Sequence, residues 1–285
     1  MSRLHDALKR AQRERPANRE EFNATSGSLG SPTESRAAAG APAIEWQAED
    51  VSNCAGRFVR VHWNPDPRKL LTYSPTQIPA VEAFRALRSQ LYHLRSKRPL
   101  KTVLVASALA NDGKSFVSAN LAAILARQDN TRVLLVDGDL RFPRLYLTMG
   151  TRNEPGLAEY LQNQADESTA IQTAQIHNLF FLPAGKQAVN SGELITSTRF
   201  PEFIRRASDD FDWIVIDSSA ALPISDARVM SETCDGVLIV VAHGATPCRE
   251  AQKIARLFGQ KVLGAVINRV PMSLSYSSYY YGRAK

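Results

Sequence analysis

The chain has 285 residues, 44% hydrophobic and 22% charged, which is enough apolar material for one substantial core with length left over for tails. Three cysteines (Cys54, Cys234, Cys248) without CxxC spacing and five histidines far apart in sequence exclude a disulfide framework and give no sign of a structural metal, so a reducing cytoplasm is expected. The net charge of +7 is concentrated toward the N-terminus, where a solvated basic arm accounts for it; an anionic membrane surface or an acidic partner is the alternative, and nucleic acid is not expected as a partner.

No apolar run reaches the roughly 18 residues of a membrane span, and the start, MSRLHDALKRAQRER, lacks the apolar stretch of a signal peptide. Residues 2–15 read as a short amphipathic helix, because Leu4, Ala7, Leu8 and Ala11 recur at three- and four-residue spacing. The stripe is thin and suits a partner groove better than a bilayer. From 16 to 56 the chain turns to Ser, Gly, Ala, Pro and Glu, a composition too poor in apolar residues to offset the entropy of ordering, and is predicted to be a flexible linker. A helix is predicted over 79–97, with Phe84, Leu87, Leu91 and Leu94 on one face. Buried strands over 102–107 and 132–139 enclose a loop and the helix SFVSANLAAILARQ. Strands over 178–184, 212–218, 236–242 and 261–268 then alternate with helices near 157–163, 198–208, 225–232 and 247–259. Near-continuous Val/Ile/Leu strands alternating with helices predict a doubly wound α/β domain over 57–268, its mostly parallel sheet covered on both faces. A tyrosine-rich tail, 269–285, follows.

SALANDGKS (107–115) sits between a buried strand and a helix start, where backbone N–H groups and the helix N-terminus can cradle phosphates. Gly113, Lys114 and Ser115 fit a phosphate-binding loop in which the lysine reaches the outer phosphates and the hydroxyl ligates Mg²⁺, although Ala108 replaces the first glycine of GxxxxGK(S/T). Asp137 and Asp139 end the second strand in LLVDGDLRFP, and Asp217 ends WIVIDS, the position of an acidic residue that holds Mg²⁺ through water. Glu82, Arg85 and Arg88 in EAFRALR share one helix stripe, a spacing that by itself suits intrahelical salt bridges. Four of the eight tyrosines, Tyr276, Tyr279, Tyr280 and Tyr281, fall in the last ten residues among serine and glycine.

Together, GKS in a glycine-poor loop, DGDLR-P, the apolar strand ending in Asp217, E-x-x-R-x-x-R and the terminal tyrosines resemble the bacterial tyrosine kinases (BY-kinases) of capsule and exopolysaccharide export, over roughly residues 75–285. The start, MSRLHDALKRA, is similar to the soluble, separately encoded subgroup. The resemblance implies a P-loop NTPase-like fold that binds ATP through Asn111, Asp112, Gly113, Lys114, Ser115 and Phe116, with Asn268 on the adenine side. It implies Mg²⁺ near Ser115, Asp139 and Asp217, with Asp137 accepting the tyrosine proton. It further implies autophosphorylation of the tail in a ring of identical subunits joined through Glu82, Arg85 and Arg88. The partners implied are a membrane-anchored chain-length determinant that recruits the cytoplasmic protein to the inner face of the plasma membrane, and a cognate tyrosine phosphatase. The loop departs from many relatives at Ala110-Asn111, and Ser218, Ser219 and Ala220 replace prolines after Asp217. A partitioning or cell-division ATPase is the chief competing reading, disfavoured because such proteins carry an additional lysine where this chain has Ala108. A nucleotide-gated scaffold with little kinase activity is the other.

Overall fold

The computed structural model describes residues 55–71, 78–222 and 225–271. The expected helix over 2–15, nearly all of the linker and the tail tyrosines lie outside the described residues. Eight strands form one sheet: β1 (Val59–Arg60), β2 (Thr102–Ser107), β3 (Val133–Asp137), β4 (Gln172–Thr173), β5 (Leu179–Leu182), β6 (Trp213–Asp217), β7 (Gly236–Ala242) and β8 (Val262–Asn268). Their order is β1-β4-β5-β3-β6-β2-β7-β8. The six strands from β5 to β8 in that order are mutually parallel. β4 pairs antiparallel with β5 and parallel with β1, so the two strands at that edge run against the rest. The helices are α1 (Ile78–Arg95), α2 (Lys114–Ala126), α3 (Leu145–Met149), α4 (Leu157–Leu161), α5 (Glu167–Ala170), α6 (Ser191–Thr196), α7 (Arg199–Asp210), α8 (Asp226–Thr233) and α9 (Cys248–Phe258).

Side chains alternate across a strand, so each buried strand feeds two cores. Leu104, Leu134, Val136, Ile214, Ile216 and Ile239 face a layer containing Phe203 of α7, Met230 of α8 and Ile254 of α9. Val103, Val105, Leu135, Trp213, Val215 and Leu238 face the opposite layer, with Leu91 of α1 and Leu121 and Leu125 of α2. α2 is apolar almost all round and buried along nearly its whole length, as expected of a helix wedged between a sheet and another helix. α1 covers it, burying Phe84 and Leu91 while Leu87 and Leu94 pack at the margin. Trp213 Nε1 donates to the Tyr92 hydroxyl at 3.2 Å, and the Arg95 guanidinium lies 4.8 Å above the Trp213 ring, which fixes the last turn of α1 on the sheet.

The major elements match the expected positions to within one or two residues. β1, β4, α3, α5 and α6 are additional to the expected elements, because two-residue strands and one-turn helices carry too little periodicity to register.

One buried amide ties the segment before α1 to the helix that starts the site. Asn120 of α2 accepts from the Leu71 N–H at 2.7 Å and donates to the carbonyls of Lys69 (2.7 Å) and Phe116 (2.8 Å). Asn120→Ala should leave a buried N–H without its acceptor at a cost of about 1–3 kcal/mol. Urea unfolding should show a lower midpoint with an unchanged m-value, and an unchanged midpoint would contradict this role.

Candidate active site

The loop between β2 and α2 depends on two left-handed residues, Asn111 (φ 64°) and Gly113 (φ 98°). Asparagine is among the few non-glycine residues that adopt this conformation readily, so Ala110-Asn111 preserves the turn. Gly113 has no substitute: a Cβ there would lie 2.0 Å from Asn268 Nδ2. That close approach exists because Asn268, ending β8, donates to the Asp112 carbonyl at 3.0 Å. Arg269 adds a bond from its guanidinium to the Asn111 carbonyl at 2.7 Å. Asp112 is buried and braces the loop from within, accepting from the Leu109 N–H at 3.0 Å and from the Thr246 hydroxyl at 2.7 Å. Its side chain is thus a brace, leaving backbone groups to face a phosphate. Phe116 packs edge-on against Phe84 of α1, ring centroids 6.0 Å apart.

Lys114 opens α2 and is nearly buried, with the helix dipole behind it. Opposite stand the strand-end carboxylates. Asp137 and Asp217 are register partners at the ends of β3 and β6. The Gly138 N–H donates to the Asp217 carbonyl at 2.9 Å, and a Cβ at Gly138 would sit 2.6 Å from that oxygen, which accounts for glycine between the two aspartates of DGD. Asp137 is completely buried and accepts from the N–H groups of Asp139 (3.1 Å) and Leu145 (3.3 Å). Burial, then the neighbouring charges of Asp217 and Asp139, push its proton affinity well above the usual carboxylate range. Burial likewise raises Asp217 to about 6, opposed by a hydrogen bond from Ser115, the Lys114 charge and the Ser118 hydroxyl at 3.1 Å. Asp139 is half-buried and accepts from the Phe142 N–H at 3.1 Å.

Among the described residues no three His, Cys, Asp or Glu side chains converge as a ready-made metal cage. Mg²⁺ bound with a nucleotide needs none, since one or two carboxylates and a hydroxyl suffice beside phosphate oxygens and water. The hard oxygen donors of Ser115, Asp139 and Asp217 fit such an ion, and the cluster of Asp137, Asp139 and Asp217, in which neighbouring carboxylates push proton affinity up, supplies the charge that would draw it.

Of the other expected residues, Glu82 and Arg85 form an ion pair within α1. Arg88 donates to the Ile124 carbonyl at 3.1 Å, ten residues and roughly 15 Å along α2 from Lys114. Arg88 thus stands apart from the carboxylates. Ser218 donates to the Val105 carbonyl at 2.9 Å, while the buried Ser219 hydroxyl has no partner among the described residues. The sequence reading missed Thr246, Arg269 and Asp226. Asp226 is buried and holds Arg141 at 2.9 Å, clamping the turn after β3 to the start of α8. No local motif signals these partners, which sit 85 to 158 residues from the groups they hold.

The loop, helix start and strand-end acids define a P-loop nucleotide-binding domain, and the AAA domain family matches residues 101–259. Putative tyrosine-protein kinase CapB of Staphylococcus aureus is 31% identical over 203 residues, covering 70% of this chain and 89% of CapB. Succinoglycan biosynthesis transport protein ExoP of Rhizobium meliloti is 34% identical over 198 residues, 67% of this chain but only 25% of ExoP. The solved kinase domain of Escherichia coli tyrosine kinase ETK superposes with a TM-score of 0.63 at 31% identity, covering 69% of this chain and 80% of that one. The chain belongs to the bacterial tyrosine kinase family, on an AAA-type P-loop domain. Among the described residues no helix is long and apolar enough to cross a membrane.

The buried acids set a pH dependence whose sign follows from linkage. Between the ordinary carboxylate value of 3.8 and about 6, the folded chain holds a proton on Asp217 that the unfolded chain releases. The stabilisation is complete below the lower value and is lost as pH rises through the upper one. For protein free of nucleotide and metal, unfolding free energy should therefore fall as pH rises from about 4 to about 6, and Asp217→Asn should flatten that slope. Parallel pH profiles for the two proteins would contradict the assignment.

Proposed function

We propose that the protein is an ATP-dependent tyrosine kinase that phosphorylates Tyr276, Tyr279, Tyr280 and Tyr281 in the tail of another copy of itself, and thereby regulates the length and export of an exopolysaccharide. The observation that carries this reading is the pair of in-register buried carboxylates, Asp137 and Asp217, at the strand ends beside the P-loop lysine. The family membership and the tyrosine-rich tail supply the acceptor.

In this reading the backbone of Asn111–Ser115 and the Lys114 ammonium hold the ATP phosphates, and Asn268 lies toward the adenine. Mg²⁺, held by Ser115, Asp139 and Asp217, supplies charge neutralisation on the phosphate oxygens. Lys114 meets charge on the transferring phosphoryl group, and Asp137 takes the proton of the tyrosine hydroxyl, for which a raised proton affinity is the required property. Phosphates on neighbouring tyrosines each add about −1.5 to −2 charge near pH 7 and repel both one another and the acidic site, so a modified tail leaves. Glu82, Arg85 and Arg88 serve contacts between subunits of a ring. A membrane-anchored chain-length determinant is the activator that recruits the protein from the cytoplasm to the membrane, and a tyrosine phosphatase resets the tail.

Lys114→Met should lower phosphotyrosine formation with Mg·ATP by at least about a hundredfold, since one preorganised charge at the transferring group is worth that much. The circular dichroism spectrum should stay that of the unaltered protein. Undiminished phosphotyrosine would remove Lys114 from the phosphate site, and ADP release without any phosphotyrosine in the unaltered protein would favour a simple ATPase.

A further inference from the structure

Resting on the tyrosine-kinase reading, we infer that Phe142 and Val189 form an apolar rim that seats the ring of the acceptor tyrosine, offered by residues 272–285 of a second copy of the chain. Phe142 is 64% exposed and Val189 fully exposed. Scattered apolar residues on a surface need no explanation, but these two lie on loops that touch. The Ala188 N–H donates to the Leu140 carbonyl at 3.0 Å, bringing the residue next to Val189 against the turn that carries Phe142.

That turn is held on several sides. The Phe142 N–H is bonded to Asp139 Oδ1 at 3.1 Å, Arg141 is paired with the buried Asp226 at 2.9 Å, and the Leu145 N–H is bonded to Asp137 Oδ2 at 3.3 Å. Pro143 restricts the backbone further. An aromatic ring is therefore presented to solvent from a fixed backbone, whose N–H is bonded to the half-buried carboxylate of the site. Such preorganisation lowers the ordering cost of binding, and a second aromatic ring is a matching partner in edge-on or offset geometry. The tail also complements the turn in charge: residues 272–285 contain Arg283 and Lys285 and no acidic residue, against the half-buried Asp139 at its head. The rim further separates tyrosine from the four serines of the tail, Ser273, Ser275, Ser277 and Ser278, which have no ring to seat.

The test uses the full-length protein with a synthetic peptide of residues 272–285 as phosphate acceptor at saturating Mg·ATP. Phe142→Ser should raise the peptide KM about three- to tenfold, the range expected for losing one aromatic contact, with kcat changed less than about twofold. Phe142→Trp should restore the KM, and Val189→Ser should raise it in the same direction. A peptide KM unmoved by Phe142→Ser, in a protein that phosphorylates the peptide, would overturn the rim and leave the kinase reading standing. A rise in the KM for ATP without one for peptide would also overturn it, by placing Phe142 on the nucleotide side. Absence of peptide phosphorylation by the unaltered protein would overturn both.

Discussion

Two carboxylates buried side by side at the ends of adjacent parallel strands are the constraint on which the rest of this molecule turns. Asp137 and Asp217 share a register position and have almost no contact with solvent. Charged groups are costly in such a place unless partners offset them. For Asp137 the offset is two backbone N–H groups from the turn that follows β3. For Asp217 it is the hydroxyls of Ser115 and Ser118 and the charge of Lys114, all from the first turns of α2. The start of α2 is therefore held against β6 by electrostatics as well as by packing, and the phosphate-binding loop inherits its position from that contact.

The loop needs a second anchor because it is poor in glycine. Asp112 and Thr246 hold it from one side, Asn268 and Arg269 from the other. Bracing of this kind gives backbone N–H groups a fixed aim before any ligand arrives, which is the condition for electrostatic stabilisation without reorganisation. The same bracing connects the site to the end of β8, which immediately precedes the tyrosine-rich segment 269–285. The braced loop and the tyrosine-rich segment are thus neighbours along the chain.

How much of this is legible in sequence depends on where each partner lies. Asp137, Asp139 and Asp217 stand out because a carboxylate closing a run of Val, Ile and Leu has few bland explanations, and Lys114 and Ser115 because they follow a buried strand and open a helix. The bracing by Thr246 and Arg269 and the Arg141–Asp226 pair are invisible, since nothing near either residue marks a partner more than eighty positions away. Asp112 is instructive: its place in the loop is plain from sequence, but the direction of its side chain, into the protein, is a tertiary fact. Glu82 and Arg85 pair within their own helix, the arrangement their spacing favours on its own. The antiparallel edge formed by β1 and β4 escaped notice because a two-residue strand has no alternation to read.

The proposal that one copy transfers phosphate to the tail of another is tested most directly by mixing two chains, neither of which can phosphorylate its own tail. One chain carries Lys114→Met with its four tail tyrosines intact, and the other carries an intact site with Tyr276, Tyr279, Tyr280 and Tyr281 changed to phenylalanine. After incubation with Mg·ATP, mass spectrometry should place phosphate on the tail of the Lys114→Met chain, with little on either chain incubated alone. Phosphate confined to Tyr92, Tyr146 or Tyr160, or absent from the mixture, would contradict the account.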